Sequence, residues 1–439
     1  MKRAAVHNLG CKVNSYELDV MVQELRRAGY EMVSFDDAAD VYIINTCSVT
    51  SIADRKSRQM LHRAKHRNPA AVVAAVGCYV ETDRQKLEED PLVDLCIGNN
   101  RKGSIARILT DYLNGTMQDA ETMDDLAGHP VYEEMQLHTP GRTRADVKIQ
   151  DGCNQFCTYC IIPYARGRIR SRDPEDVIRE VQGLAADGVK EVVLTGIHIS
   201  SYGKEKGLEP DRELLNLLRR LQLLTGIERI RLGSLEPRII TEDFAAGISG
   251  LTKVCPHFHL SLQSGCNDTL RRMNRHYTAE EYYEGVRRLR RVYDRPAITT
   301  DVIVGFQGET AAEFETSRHF LEQTKFYEIH VFKYSVRRGT AAEHMPNPCS
   351  DEEKTLRSNV LLDLTAGQAR DYRRSFIGQQ EELLLEEKVI LDGAEYFTGH
   401  TMRYTQGAVP AKGRREGELV RGTVTGLSAD GTVLMMELL

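Results

Sequence analysis

Long apolar runs are missing from this sequence. Its longest stretches, such as Ala70–Val76, have the length of a strand and fall far short of the roughly 18 residues that span a bilayer. Met1–Gly10 carries Lys2 and Arg3 but no apolar core, so no secretory leader is expected. No membrane partner is expected either, and the cytoplasm is the default location. A basic excess is also missing. With a net charge of −6, no global field draws nucleic acid, and any RNA contact has to come from local patches. Low-complexity tracts and short-period repeats are absent. What remains is ordinary globular composition over 439 residues, too long for one core and suited to about two to four domains.

Three blocks follow along the chain. In the first, residues 1–113, Ala4–His7, Val41–Asn45, Ala71–Val76 and Val93–Ile97 read as buried strands. Helical patterns fall between them at Asn14–Ala28, Ile52–His66, Asp83–Glu89 and Gly103–Leu113. Such alternation implies a parallel sheet with helices on its faces, an α/β fold. Residues 114–143 lose periodicity, turn acidic and read as a linker. The second block, 144–375, repeats the strand–helix unit six times, with strands at Ala145–Gln150, Glu191–Thr195, Arg229–Gly233, His257–Gln263, Ile298–Val304 and Glu328–Tyr334. Pro174–Ala186, opened by Pro174 behind the cap Asp173, and Ala279–Val292 are among its helices. Six units are fewer than the eight of a closed barrel, so a partial (βα)6 barrel is expected, with chemistry at the carboxyl ends of its strands. In the third block, 376–439, short runs at Glu381–Leu385, Tyr396–His400, Leu419–Val424 and Thr432–Glu437 suggest a small β-barrel. Such barrels often hold nucleic acid; an interaction or stability module is the plainer alternative.

The chain has ten cysteines, and a compartment that keeps thiols reduced turns clusters of them toward metal or catalysis. Cys153, Cys157 and Cys160 share one loop after the first strand of the second block. Soft thiolates that close favour zinc or an iron–sulfur cluster. Three of them can hold three irons of a cubane and leave the fourth open to a small molecule. Zinc would want a fourth Cys or His, and this loop has none. Cys11, Cys47 and Cys78 each stand just past a predicted strand of the first block. In a parallel sheet those positions share the edge where ligands bind. Taken singly each reads as a buried structural cysteine; taken together they form a second trio. Cys96 reads as core packing, and Cys255, Cys266 and Cys349 have no partner pattern.

The Cys-x-x-x-Cys-x-x-Cys loop on the first strand of a six-unit partial barrel resembles the radical S-adenosylmethionine superfamily. Leu9-Gly10-Cys11-Lys12-Val13-Asn14 and Asn45-Thr46-Cys47-Ser48-Val49-Thr50 narrow the resemblance to the methylthiotransferases. The last block resembles their RNA-binding TRAM domain. Among the family's branches, Ile149–Cys153, Thr195–Gly203 and Ser234–Pro237 look most like the MtaB-type branch acting on threonylcarbamoyl-adenosine in tRNA, at position 37 beside the anticodon. Other branches act on isopentenyl-adenosine or on a ribosomal-protein aspartate. One departure is Gln307, where the family usually has proline.

The resemblance implies two 4Fe–4S clusters, one on Cys153, Cys157 and Cys160 that binds S-adenosylmethionine, and an auxiliary one on Cys11, Cys47 and Cys78 that supplies sulfur. A deoxyadenosyl radical would take hydrogen from C2 of the adenine, and the electron donor is unidentified. Tyr159, Thr195, Gly196, Ser234, Glu236 and Gln263 stand near strand ends as candidate cosubstrate ligands; a turn, cap or packing role is the alternative for each. RNA binding needs cations to meet phosphate. Arg166, Arg168, Arg170 and Arg172 follow the cluster loop, and Arg414 and Arg415, with Lys412, lie in the last block. Arg55, Lys56, Arg58, Arg63, Lys65 and Arg67 share a predicted helix next to Cys47. A solvated face is the plainer reading of such runs. An iron–sulfur or RNA-binding protein without catalysis is the alternative from another class.

Overall fold

The computed structural model describes residues 2–117, 122–128, 131–138 and 143–439. Strands β1 (Arg3–Asn8), β2 (Glu31–Val33), β3 (Val41–Thr46), β4 (Val72–Gly77) and β5 (Leu95–Ile97) form a wholly parallel sheet in the order β2-β1-β3-β4-β5. Helices α1 (Lys12–Arg27), α2 (Ser51–Arg67), α3 (Cys78–Glu88) and α4 (Ile105–Asn114) cover it. Alternate strand residues feed two cores. Val41, Ile43, Ala74 and Val76 pack with Met21 and Ile108; Tyr42, Ile44, Val73 and Ala75 pack with Leu61 and Leu87. Burial on both faces is why these strands read as continuous apolar runs. The edge strand β2 was not anticipated, because three residues carry too little pattern. Helix α3 starts five residues earlier than expected, since two helical segments join across a kink at Asp83 (φ −145°).

The central block supplies β6 (Arg144–Asp151), β8 (Glu191–Gly196), β9 (Arg229–Leu232), β10 (His257–His259), β11 (Ala297–Val304) and β12 (Glu328–Lys333), with β7 (Arg170–Ser171) antiparallel beside β6. Two parallel ladders meet where Leu235 N donates to the His259 carbonyl at 2.8 Å and Ser261 N to that of Leu235 at 3.0 Å. The strands thus curve through β6-β8-β9-β10-β11-β12, and β12 does not close onto β6. Short helices α5 (Ile162–Ala165) and α9 (Asn267–Arg272) follow β6 and β10, and α6 (Pro174–Ala186), α7 (Pro210–Gln222), α8 (Glu242–Ser249), α10 (Ala279–Val292) and α11 (Ala311–Thr324) wrap the outside. Outward residues such as Val147, Leu194, Ile230, Phe258, Val302 and Ile329 belong to one apolar core. Successive strand residues face opposite ways, so Lys148, Thr195, Arg231, His259, Asp301 and His330 point inward. The half-barrel therefore has a polar lumen.

Helix α12 (Asp351–Arg374) lies against β12 and leads into a closed five-stranded barrel of β13 (Gln380–Leu391), β14 (Ala394–Thr401), β15 (Gln406–Pro410), β16 (Leu419–Leu427) and β17 (Leu434–Leu438). Strand β15 lay outside the sequence reading, its five residues ending in proline. This barrel grips the feet of the central strands. Arg229 donates to the carbonyls of His400 (2.9 Å) and Glu382 (2.8 Å), and Arg231 to that of Met402 (2.9 Å). The segment before β6 is packed as well: Met135 and Leu137 are buried in the central core, and Tyr16 donates to the Met135 carbonyl at 3.0 Å. Among the described residues no helix is long and apolar enough to cross a membrane.

Candidate metal centres and their shared cavity

Register explains how three dispersed cysteines converge. Asn8 pairs with Asn45, and Thr46 with Gly77, so β1, β3 and β4 end level and Cys11, Cys47 and Cys78 follow at one edge. Two glycines allow the turn. Gly10 (φ +117°) would bring a Cβ within 2.8 Å of the Asn14 amide and 3.3 Å of Cys47 Cβ; Gly77 (φ +99°) would meet Asn45 Oδ1 at 2.9 Å. Both positions need a left-handed backbone that only glycine takes freely. Cys47 and Cys78 are buried and Cys11 is exposed. Burial raises the Cys11 thiol and pushes Cys47 up to about 11.

The second trio is built on a loop after β6. Cys160 N donates to the Cys157 carbonyl at 2.9 Å, and Thr158 N to that of Met273 at 3.0 Å. Asn274 Nδ2 holds the Gln155 and Phe156 carbonyls (3.3 and 3.0 Å). Burial raises Cys153 to about 11 and Cys160 to about 12. Arg275 donates to Cys157 Sγ at 3.2 Å.

The chemistry of the donor set fits a cluster better than a single ion. Among the described residues, only His259–Asp301–His330 and Cys266–Asp268–Glu313 bring three ligand atoms within 4.8 Å of one another; neither cysteine trio does. Zinc–sulfur bonds of about 2.3 Å need sulfurs roughly 3.8 Å apart. Thiols raised by burial ionise only against strong positive charge, which an iron–sulfur core supplies.

Consecutive residues tie the trios together. Gly167 O accepts from Cys153 N at 3.0 Å, and Arg166 Nε donates to Cys78 Sγ at 3.3 Å. The Arg166 guanidinium also reaches Glu17 (2.5 Å), Asn14 (2.5 Å) and Asp151 (3.3 Å). Lys102 and Lys148 complete the knot on Glu17 at 2.5 and 2.7 Å. Burial alone would raise Glu17, but Arg166, Lys102 and Lys148 outweigh it and hold the carboxyl well below the usual carboxylate range.

This corrects the basic-run reading. Arg166, Arg170 and Arg172 are 0%, 3% and 3% exposed, so none of them reaches an RNA phosphate. Arg170 is spent on Asp151 (3.1 Å), and Arg172 on Glu180 and Tyr16. Arg168 is half-buried, with its guanidinium 4.7 Å from the Phe156 ring centroid. Arg414 pairs with Glu418 at 2.9 Å, while Arg415 and Lys412 are exposed. On α2, Arg58 bonds Tyr79, Arg63 and Arg67 pair with Asp36, and Lys65 with Asp94. Arg55 and Lys56 are exposed without an ion pair among the described residues.

The candidate cosubstrate residues divide. Glu236 centres a polar knot: Gln155 donates to it at 2.9 Å, His198 lies at 3.1 Å and Arg238 at 2.5 Å. Burial would raise its carboxyl, yet His198 and Arg238 overrule burial and hold it at about 2. Gln155, Glu236, His198 and Arg238 line a cavity of about 340 Å³ beside the cluster loop. Gln263 lies four residues past β10, which is shorter than the expected strand; it bridges Val302 of β11 with a strained backbone (φ 71°). Thr195 is buried on β8, Gly196 pairs with Gln150, and Ser234 is exposed after β9. Tyr159 packs edge-on against Phe306, centroids 6.3 Å apart. Gln307 is buried, and its carbonyl accepts from Arg272 at 3.3 Å. His198, Arg238, Arg275 and the inward His257, His259, Asp301 and His330 escaped the sequence reading. Their signal was alternation, as in His257-Phe258-His259 and Glu328-Ile329-His330.

Known proteins are similar to this chain in sequence and in fold. Residues 147–321 match the radical SAM superfamily, and residues 3–98 match the uncharacterized protein family UPF0004. The threonylcarbamoyladenosine tRNA methylthiotransferase MtaB of Bacillus subtilis is 39% identical over 92% of this chain and 89% of its own. The tRNA-2-methylthio-N(6)-dimethylallyladenosine synthase of Pelotomaculum thermopropionicum is 34% identical over 88% and 87%. In fold the chain is similar to the radical S-adenosylmethionine methyltransferase TsrM of Kitasatospora setae, with a TM-score of 0.55 at 15% identity over 78% of this chain and 77% of that one. The family's resident cofactors are a 4Fe–4S cluster and S-adenosylmethionine. With two cysteine trios on two sheet edges and relatives of this length and identity, the chain belongs to the radical SAM tRNA methylthiotransferase family.

Proposed function

We propose that this chain inserts a methylthio group at C2 of N6-threonylcarbamoyladenosine, at position 37 of tRNA, in the cytoplasm. The observation that carries the reading is the pair of cysteine trios, joined through Arg166 and Gly167 and too wide for single ions. Cys153, Cys157 and Cys160 would hold one 4Fe–4S cluster, and Cys11, Cys47 and Cys78 a second. Bound there, the clusters and S-adenosylmethionine would supply hydrogen abstraction at C2 and the sulfur that replaces it.

The residues of the chain bind, orient and exclude water. Arg166 and Arg275 donate to one thiolate in each trio, and such bonds set how readily a cluster takes an electron. The Glu236 knot is ionised and rigid, suited to orient the polar end of S-adenosylmethionine. Helix α1 closes the lumen beside β6 through Glu17 and Lys148, keeping water from a reactive intermediate. We place tRNA at the lumen mouth, with Arg55 and Lys56, Arg168, and Lys412 and Arg415 of the C-terminal RNA-binding barrel as phosphate contacts. The domain limits follow the three blocks, 1–113, 144–375 and 376–439.

Two measurements test this. Nucleosides of tRNA from a deletion strain should lose the methylthio-threonylcarbamoyl form; its retention would reject the substrate, and loss of the isopentenyl form instead would reassign it. Full-length protein reconstituted anaerobically should carry about eight irons, and replacing either trio by alanine should halve that number. A trio variant with undiminished iron would end the two-cluster reading.

A further inference from the structure

Lys12 is the first residue of α1 and follows Cys11. It is exposed, and among the described residues no carboxylate lies within ion-pair distance of it. Its lumen neighbours are all taken: Arg231 pairs with Glu191 at 2.7 Å, Arg144 with Glu386 at 3.4 Å and Lys148 with Glu17 and Asp151. Lys12 Nζ lies 5.9 Å from the Tyr404 ring centroid, on the wall of a cavity of about 400 Å³. The carboxylates lining that cavity include Asp146 and Glu416, the latter bound by Thr143 at 3.0 Å, and Glu386 and Glu387.

Beyond Tyr404 stands a polar wall on β10, β11 and β12. His257 stacks on Tyr404 with centroids 4.9 Å apart. Burial, then Arg231, Lys12, His259 and His400, depress its imidazole, and its Nε2 lies 3.3 Å from Thr299 Oγ1. His259 Nε2 is 3.2 Å from Asp301 Oδ2, and its other nitrogen is 3.0 Å from Thr299 Oγ1. Asp301 pairs with His330 in register, and the ligand atoms of His259, Asp301 and His330 lie within 4.8 Å of one another. Asp301 O accepts from Gln263 N at 2.8 Å, one layer below the strand ends assigned to S-adenosylmethionine.

We propose that Lys12 anchors the threonyl carboxylate of the substrate nucleoside, with His259, Asp301 and His330 facing its remaining polar groups. The proposal rests on the threonylcarbamoyl-adenosine reading and deepens it. A threonylcarbamoyl group brings a carboxylate, a hydroxyl and urea N–H groups to a lumen holding a spare ammonium and paired imidazole and carboxylate. An isopentenyl group brings none, and would displace water from the Lys12 ammonium without giving it a partner. A site whose polar groups become buried under the bound nucleoside rejects an analogue that cannot pair them far more strongly than an apolar pocket rejects an extra methylene.

The test uses full-length, doubly reconstituted protein and anticodon stem-loop RNA carrying threonylcarbamoyl-adenosine, its methyl ester, or isopentenyl-adenosine. Lys12→Met should weaken binding of the free acid about tenfold or more, the worth of a charge-assisted contact, at unchanged iron content. Lys12→Arg should restore most of that loss, and wild type and Lys12→Met should bind the ester alike. Lys12→Gln serves if the methionine variant does not fold. Wild type that methylthiolates the free acid while Lys12→Met and Lys12→Gln bind acid and ester as wild type does overturns the anchor alone. Wild type that converts only isopentenyl RNA overturns the substrate reading itself. A stoichiometric divalent ion that is lost in His259→Ala would fill the wall with metal and overturn the polar-contact assignment.

Discussion

Replacing Arg166 by methionine removes a buried cation of similar reach from between the two cysteine trios. The guanidinium spends its donors on Cys78, Glu17, Asn14 and Asp151 and is fully buried. Breaking a buried pair by removing one partner costs about 3–5 kcal/mol, because the remaining charge stays unpaired. Glu17 keeps Lys102 and Lys148, and Asp151 keeps Lys148 and Arg170, so the lower end applies. A loss of about 3 kcal/mol lowers a melting temperature by roughly 6–12 °C in units of this size. Cys78 also loses its charged donor and keeps the Asn99 amide at 3.6 Å, so the auxiliary trio should hold iron less firmly. The assay is differential scanning calorimetry with iron quantitation on the anaerobic protein. Lys at this position keeps the charge but not the fork, and should recover part of the melting temperature and less of the iron. A methionine variant that melts within about 2 °C of wild type and keeps all its iron would refute the claim that Arg166 joins the two halves.

Other outcomes follow from the same geometry. Glu236→Gln should weaken S-adenosylmethionine binding about tenfold without loss of iron, read by equilibrium dialysis, because the knot loses its charge. Burial holds Glu81 up at about 7, with Asn99 N donating to it at 2.6 Å. A carboxyl raised from 4.5 favours the folded state only while protonated, so its destabilising effect grows from pH 4.5 to about 7 and is complete above. Glu81→Gln should therefore melt above wild type at pH 8 and level with it near the acid end. Arg55→Ala with Lys56→Ala should flatten the salt dependence of tRNA binding by about one to two in log–log slope; an unchanged slope would take α2 out of the interface.

Much of the architecture was open to reading because the strands of both sheets repeat simple patterns. Apolar runs announced the N-terminal sheet, and capped helices such as Pro174–Ala186 fell where expected. The cysteine trio of that sheet was legible only through topology, since strand ends that are far apart in sequence share an edge. The basic run after the cluster loop misled for a physical reason. Arginines are almost never buried unless paired, and the partners of Arg166 and Arg172 lie on α1, β6 and α6, where no local spacing shows them. The inward histidines were hidden likewise: a half-barrel lumen makes alternating strands polar on the face that a closed core would make apolar. Strands β2 and β15 were too short to declare themselves.

Tyr404 enters the underside of the half-barrel from the C-terminal barrel, its ring between His257 and His400 and within 5.1 Å of the Arg144 and Arg231 guanidiniums. The module proposed to clasp RNA thereby also floors the reaction chamber. A chain cut before β13 would lose more than a handle on its substrate: bulk solvent would rise through the opened base toward the buried Arg231 and His257. Turnover and abortive cleavage of S-adenosylmethionine should then respond together to any change in how that floor is seated.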